Sequence, residues 1–210
     1  MPGKTVRTGI IGAGSIAEKL ADTIRSLKDV SNYAIASRDR EKARSFAGQW
    51  GFETSYGSYE ELLADDKVDL VYIALPHSHH YQWTMEALHA GKHVLCEKAF
   101  AVNAAQAEEM ITLSREKKLL LTEAIWTRYM PSAKLITDLV KSEEIGQITT
   151  VSSNLGYRNY MKQRLQDPAL AGGCVLDLTI YTLHFSDMIL GHDIKRIAAA
   201  MVPTDTGVDG

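Results

Sequence analysis

The chain has 210 residues, 45% hydrophobic and 23% charged, with a formal net charge of −3. That is an ordinary globular composition, long enough for one large or two small domains. The weak negative charge, with Lys and Arg scattered singly, argues against nucleic acid or an acidic membrane as partner. The N-terminal stretch lacks the apolar core of a signal peptide, and no apolar run is expected to reach membrane-spanning length. Cys96 and Cys174 are too few for a disulfide framework, so the cytoplasm is the default location.

In chain order, Val6 to Ile11 reads as an apolar strand, and Ser15 to Leu27 as an amphipathic helix with Ile16, Leu20, Ile24 and Leu27 on its apolar face. A strand at Tyr33 to Ala36 precedes a helix from Arg40 to Trp50 that Gly51 terminates. A short strand near Thr54 to Tyr56 follows, and Ser58 with Glu61 forms a capping box for a helix through Ala64. Asp69 to Leu75 is a fully apolar strand, and a helix from His79 to Ala90 leads to the strand His93 to Cys96. A helix over Ala104 to Lys117 and a strand over Leu119 to Thr122 complete the alternation. Strands separated by helices in this order build a doubly wound parallel sheet of the Rossmann kind.

After Glu123 the pattern changes, which places a domain boundary there: 1–123 as a dinucleotide-binding domain and 124–210 as a partial α+β domain. Pro131 to Lys141 reads as a helix, Gln147 to Tyr157 as a strand, Val175 to Leu190 as a helix and Lys195 to Val202 as a last strand. Leu176, Ile180 and Leu183 are expected to form the core side of the second helix. Two strands make an open, incomplete sheet.

Two segments carry chemistry. The first strand runs into Gly12-Ala-Gly14-Ser15-Ile16-Ala17, where Gly12 permits a tight turn and Gly14 leaves room for a pyrophosphate at the N-terminus of the next helix. The run Ala90-Gly-Lys-His-Val-Leu-Cys-Glu97-Lys98 puts a charged pair at the carboxyl end of a buried strand, the edge where ligands bind in such sheets. At the end of the second strand stands Ser37-Arg38, where an NAD site places an acidic residue; a hydroxyl and a guanidinium there favour NADP(H) over NAD(H). Asp177, Tyr181 and His184 follow Gly172-Gly173 at i, i+4 and i+7, on one helix face. Three histidines lie within 77–80, but no metal site is expected.

These motifs, from about Thr5 to Gly191, resemble the Gfo/Idh/MocA family of NAD(P)-dependent sugar and polyol oxidoreductases, in particular its dihydrodiol and xylose dehydrogenase branch. The family commonly has Pro-Asn-x-x-His where this chain has Pro76-His77-Ser-His-His80, and Glu-Lys-Pro where it has Glu97-Lys98-Ala99. Cys174 replaces the third glycine of its Gly-Gly-Gly motif. The resemblance implies that Lys98, Tyr181 and Asp177 are catalytic. It also implies that Leu75, His77, His80, Glu97, Trp126 and Arg128 lie near cofactor or substrate; separately, Tyr157 and Arg158 stand at the end of the long strand, where they are expected to touch substrate. The implied activity is hydride transfer between nicotinamide and a secondary alcohol or hemiacetal carbon of a sugar, polyol or diol. The alternative is a cofactor-binding sensor or catalytically impaired remnant, because family members run longer. A homo-oligomer is possible, altered if the second sheet is incomplete.

Overall fold

The computed structural model describes residues 5–158 and 162–210. They divide into two compact units, Met1–Ala124 and Ile125–Gly210.

The first unit is one six-stranded sheet flanked by helices. Its strands are β1 (Val6–Ile11), β2 (Val30–Ala36), β3 (Thr54–Tyr56), β4 (Leu70–Ile73), β5 (His93–Cys96) and β6 (Leu121–Glu123). The order is β3-β2-β1-β4-β5-β6, and every pairing is parallel. The winding therefore reverses between β1 and β4, which opens a crevice at the carboxyl ends of those two strands. Helices α1 (Ser15–Ile24), α2 (Arg40–Trp50), α3 (Tyr59–Leu63), α4 (His80–His89) and α5 (Ala104–Lys117) cover the sheet. A 3-10 turn, His77–His79, enters α4.

Alternation along the strands supplies a core on each face. Ile10, Ile35 and Tyr72 pack with Ala17, Ala21 and Phe46, while Ile11, Ile73 and Val94 pack with Leu62, Trp83 and Leu88. Burying each large aliphatic side chain contributes about 1.5–3 kcal/mol, which explains why the central strands read as near-continuous apolar runs. Helix starts are capped as the sequence suggests: Ser58 Oγ accepts from Glu61 N–H (3.1 Å). Glu61 reaches back to the N–H of Gly57 (3.0 Å) rather than to that of Ser58.

One helix face differs from expectation. The buried side of α1 is Ala17, Ala21 and Ile24, while Ile16 and Leu27 are exposed, and the helix ends at Ile24. Small residues let α1 approach the sheet closely enough to bring its N-terminus to the strand ends, and that requirement outranks the bulkier apolar pattern.

The second unit contains α6 (Pro131–Lys141), the short α7 (Gln163–Gln166) and α8 (Ile180–Leu190). A 3-10 turn at Trp126–Tyr129 precedes α6, and a π-helical turn at Val175–Thr179 runs directly into α8. The strands expected at 147–157 and 195–202 do not form: neither segment enters a ladder among the described residues. Alternating polarity reports side-chain period only, whereas a strand exists when a neighbour takes its backbone hydrogen bonds. Leu176, Ile180 and Leu183 are not a buried core; α8 has no buried residue, and Leu183 is 56% exposed. The stretch Pro168–Leu190, contrary to expectation, is long and apolar enough to cross a membrane by length and composition, with a mean hydropathy of 1.2. It is interrupted by Gly172-Gly173 and the π turn, and it carries a buried aspartate, Asp177.

Candidate active site

At the crevice of the first unit, Gly12 turns the chain at φ +101°, and a Cβ there would lie 2.5 Å from the carbonyl oxygen of Ala74. Only glycine fits both the conformation and the close approach of β1 to the chain leaving β4. The space a Cβ would take at Gly14 is open, with nothing within 4 Å. Among the described residues no side chain caps α1, so its first N–H groups, at Ser15 and Ile16 among others, suit an anion.

At the end of β2, Ser37 is buried and its Oγ accepts from Asp39 N–H (3.3 Å). The neighbouring arginines are not equivalent. Arg40 is committed to Glu61, with its guanidinium 2.9 Å from Oε1 and 3.1 Å from Oε2. Arg38 is exposed at the strand edge, and its charge acts on Tyr59 and His79. Burial chiefly, then the Arg38 charge, lowers the pKa of His79.

The loops after β4 and β5 form the opposite wall. His80, fully buried, holds them together: its Nδ1 lies 2.7 Å from Ala99 O and its Nε2 2.9 Å from Leu75 O. Two carbonyls favour a charged ring, but burial outweighs them and brings the pKa to about 4. His77, also buried, stands edge-on to it at 5.8 Å. The His80–Ala99 contact reaches the turn after Lys98, where the Lys98–Ala99 peptide bond is cis.

Glu97 is buried at the end of β5. Its Oε1 accepts from the Tyr72 hydroxyl, and its Oε2 accepts from Lys98 N–H (3.1 Å). Lys98 is half-buried beside it. Glu123, at the end of β6, accepts from Phe100 N–H (2.9 Å). Burial raises the Glu123 pKa, as does Glu97, while the Phe100 N–H and the Lys98 charge oppose the shift. Tyr72 and Glu123 are members of this edge that sequence reading missed. The available signals were a lone tyrosine in an apolar strand and an acid at the end of an edge strand.

In the second unit, Tyr181 and His184 line a pocket of about 190 Å3 with Thr127, Ala133, Ile136 and Met188. Trp126 donates its indole N–H to the Tyr181 hydroxyl (3.0 Å), with the rings 6.1 Å apart. His184 Nε2 is buried and has no hydrogen-bond partner among the described groups. Burial and then the Arg128 charge lower the His184 pKa. Arg128 itself lines a neighbouring groove with Asp138, Asp187 and His192.

Of the face expected for Asp177, Tyr181 and His184, the last two line one pocket. Asp177 faces a separate cavity and pairs with Arg164 (3.0 Å), both within the second unit. Tyr157 lines that same cavity, and Arg158 is exposed.

A doubly wound parallel sheet with a glycine turn and an uncapped helix at its switch point defines an α/β protein of the dinucleotide-binding class. Residues 6–125 match the model of the GFO_IDH_MocA oxidoreductase family, NAD-binding Rossmann fold, and residues 134–209 match the GFO/IDH/MocA C-terminal domain. The chain belongs to the Gfo/Idh/MocA oxidoreductase family. It is 41% identical to D-xylose 1-dehydrogenase (NADP(+)) of Hypocrea jecorina, over 90% of this chain and 54% of that protein. It is 38% identical to trans-1,2-dihydrobenzene-1,2-diol dehydrogenase of Sus scrofa, over 97% of this chain and 62% of that one. The chain thus spans between half and two thirds of the length of these relatives. Among solved structures it resembles KijD10, a 3-ketoreductase from Actinomadura kijaniata in complex with NADP and TDP-benzene. That match has a TM-score of 0.85 at 29% identity and covers 98% of this chain and 64% of the other.

Proposed function

We propose that the chain is the cofactor-binding and catalytic part of an NADP(H)-dependent oxidoreductase acting on a secondary alcohol or hemiacetal carbon of a sugar, polyol or diol. The observation that carries this reading is the carboxyl edge of the first sheet, where Gly12, Gly14 and an uncapped α1 stand at the switch point and Glu97-Lys98 ends β5. The relatives' names, a sugar dehydrogenase and a diol dehydrogenase, suggest the substrate class.

The N–H groups of Gly14, Ser15 and Ile16 suit a pyrophosphate, and Ser37 with Arg38 suits a ribose 2′-phosphate. Leu75, His77, His80 and Glu97 would frame the nicotinamide end. NADP+, when bound, accepts a hydride at C4 of its nicotinamide. This chain's part in the step is the substrate's hydroxyl proton, for which Lys98 and Tyr181 are the acid–base groups. Trp126, as a donor to the phenolic oxygen, stabilises negative charge developing there. Asp177, engaged by Arg164, holds the helix rather than the proton. Residues 1–123 serve the cofactor and 124–210 the substrate and self-association; Arg128 acts through its charge. Free Cys96 and Cys174 suit the cytoplasm.

The second reading, a cofactor-binding remnant with impaired turnover, is favoured by the exposed apolar side chains of the second unit, among them Leu135, Leu183 and Ile197. NADPH fluorescence decides between the two. Binding followed by oxidation or reduction with a panel of aldoses and trans-diols supports the enzyme. Binding without turnover supports the remnant, and no binding overturns both.

A further inference from the structure

Residues 202–210 fold back as a tight turn. Thr204 N–H donates to Val208 O (2.8 Å), Gly207 N–H to Thr204 O (2.9 Å) and Gly210 N–H to Val202 O (3.1 Å), while Pro203 and Asp209 pair antiparallel. The turn buries Val208 in a cavity of about 170 Å3 beside Leu165, Asp177 and Leu178. Next to it, Asp209 takes hold of the start of the helix that carries Tyr181. Its backbone carbonyl accepts from Cys174 N–H (3.1 Å) and its Oδ2 from Val175 N–H (2.5 Å). Its Oδ1 lies where a Cβ on Gly173 would come within 2.0 Å.

A helix start leaves its first N–H groups without intrahelical acceptors, and a side chain just before it normally supplies one. Here no local side chain caps the start at Cys174, and Asp209, 34 residues from Val175, does so instead. A carboxylate at this end also opposes the positive pole of the helix. What it anchors is the π turn Val175–Thr179, a rare winding found mostly as single turns inside α-helices. Rotation between neighbouring helix positions is about 100°, so a one-residue change of winding re-aims Tyr181. Gly173 sits at φ +108°, a conformation that favours glycine, and the Asp209 carboxylate lies against it.

We infer that Asp209 is a positioning residue for Tyr181, a distant cap that sets the phase of the Tyr181 helix; its catalytic meaning rests on the function proposed above. The test is fluorine NMR of the 210-residue chain carrying fluorotryptophan, because Trp126 reports the Tyr181 hydroxyl directly through its hydrogen bond. In Asp209→Ala, the Trp126 resonance should move toward its position in Tyr181→Phe, while Trp50 and Trp83 stay in place. Gly173→Ala, which drives a methyl into the carboxylate, should act likewise. Asp209→Asn, whose amide oxygen still accepts from Val175, should keep most of the wild-type shift. In turnover assays Asp209→Ala should lose roughly tenfold in kcat, the scale of a lost cap, with NADPH affinity unchanged. An unmoved Trp126 resonance, or equal movement of all three tryptophans, overturns the inference; so does an unchanged kcat beside a shifted Trp126. A wild-type chain without turnover overturns the functional reading alone, because the resonances still decide the link from Asp209 to Tyr181.

Discussion

The two units position their candidate site side chains by different means. In the first, Ile10, Ile11, Ile35, Ile73 and Leu88 are completely buried, and the site edge continues a backbone ladder: Gly12 N–H donates to Ala36 O (2.9 Å) and Ala74 N–H to Ile11 O (2.9 Å). In the second, α8 buries no side chain, and Ile197 is 78% exposed. Its site residues are placed by a few long-range polar contacts, Trp126 to Tyr181, Arg164 to Asp177 and Asp209 to Val175. A sheet edge is set redundantly by many bonds, whereas a helix held by single contacts can be displaced by single substitutions.

The widest separation of the two units should come from Lys98 and Tyr181, the groups proposed to handle the proton. Lys98→Met or Tyr181→Phe should each lower turnover by roughly two to four decades, while NADPH titration remains at the wild-type value. If the two act on one proton, the double variant is little worse than the worse single one, and strictly additive losses would remove one of them from that role.

Core truncation sharpens the contrast in stability. Ile73→Ala should cost about 2–5 kcal/mol, whereas Leu183→Ala, at an exposed position, should stay within about 0.5 kcal/mol. Urea unfolding followed by Trp50 and Trp83 for the first unit and Trp126 for the second reads both; equal costs would break the comparison.

Acid should also act on the first unit, through His80. Its folded pKa of about 4 lies below the ordinary imidazole value of 6.5, mainly because of burial. The unfolded chain therefore takes up the proton first. The stability contributed is fully present above 6.5 and is lost as pH falls from 6.5 toward 4, by up to about 3 kcal/mol. Urea midpoints recorded by Trp83 across that window should fall, and His80→Asn should flatten the slope.

The smallest effect concerns cofactor choice. Arg38→Ala should narrow the preference for NADPH over NADH by about 1–3 kcal/mol and leave NADH affinity nearly unchanged. Arg40→Ala, which breaks the pair with Glu61, should not narrow it. Paired titrations of the two cofactors provide the check.

Much of the first unit was legible before any coordinates, because its information is local. The strand-turn-helix at Gly12 and Gly14, the Ser58 cap, the Gly51 stop and the charged pair at Glu97-Lys98 are each encoded within a few residues. The apolar face of α1 was read in part: Ile24 is buried and Leu20 packs on the core, while Ala17 and Ala21 rather than Ile16 and Leu27 complete the buried side, because close approach to the sheet favours small residues. The second unit was less legible, since helical spacing assumes an α winding and Val175–Thr179 winds as π. Likewise, alternation at 147–157 and 195–202 contains no information about a pairing partner.

By itself, then, the amino-acid sequence determined the parallel doubly wound sheet, the edge at which a nucleotide would sit and the residue types that meet there. Period, capping and glycine placement act over one or two turns of chain, and the order of strands and helices restricts topology. Tertiary structure alone decided that Tyr72 holds Glu97, that His80 joins the loops of Leu75 and Ala99, and that Arg40 rather than Arg38 is tied to Glu61. It also decided that Asp177 pairs with Arg164, and that Asp209 caps a helix far upstream. Each of these joins residues distant in sequence, and such a contact is set by packing and by the need to satisfy buried polar groups, neither of which leaves a periodic signal along the chain.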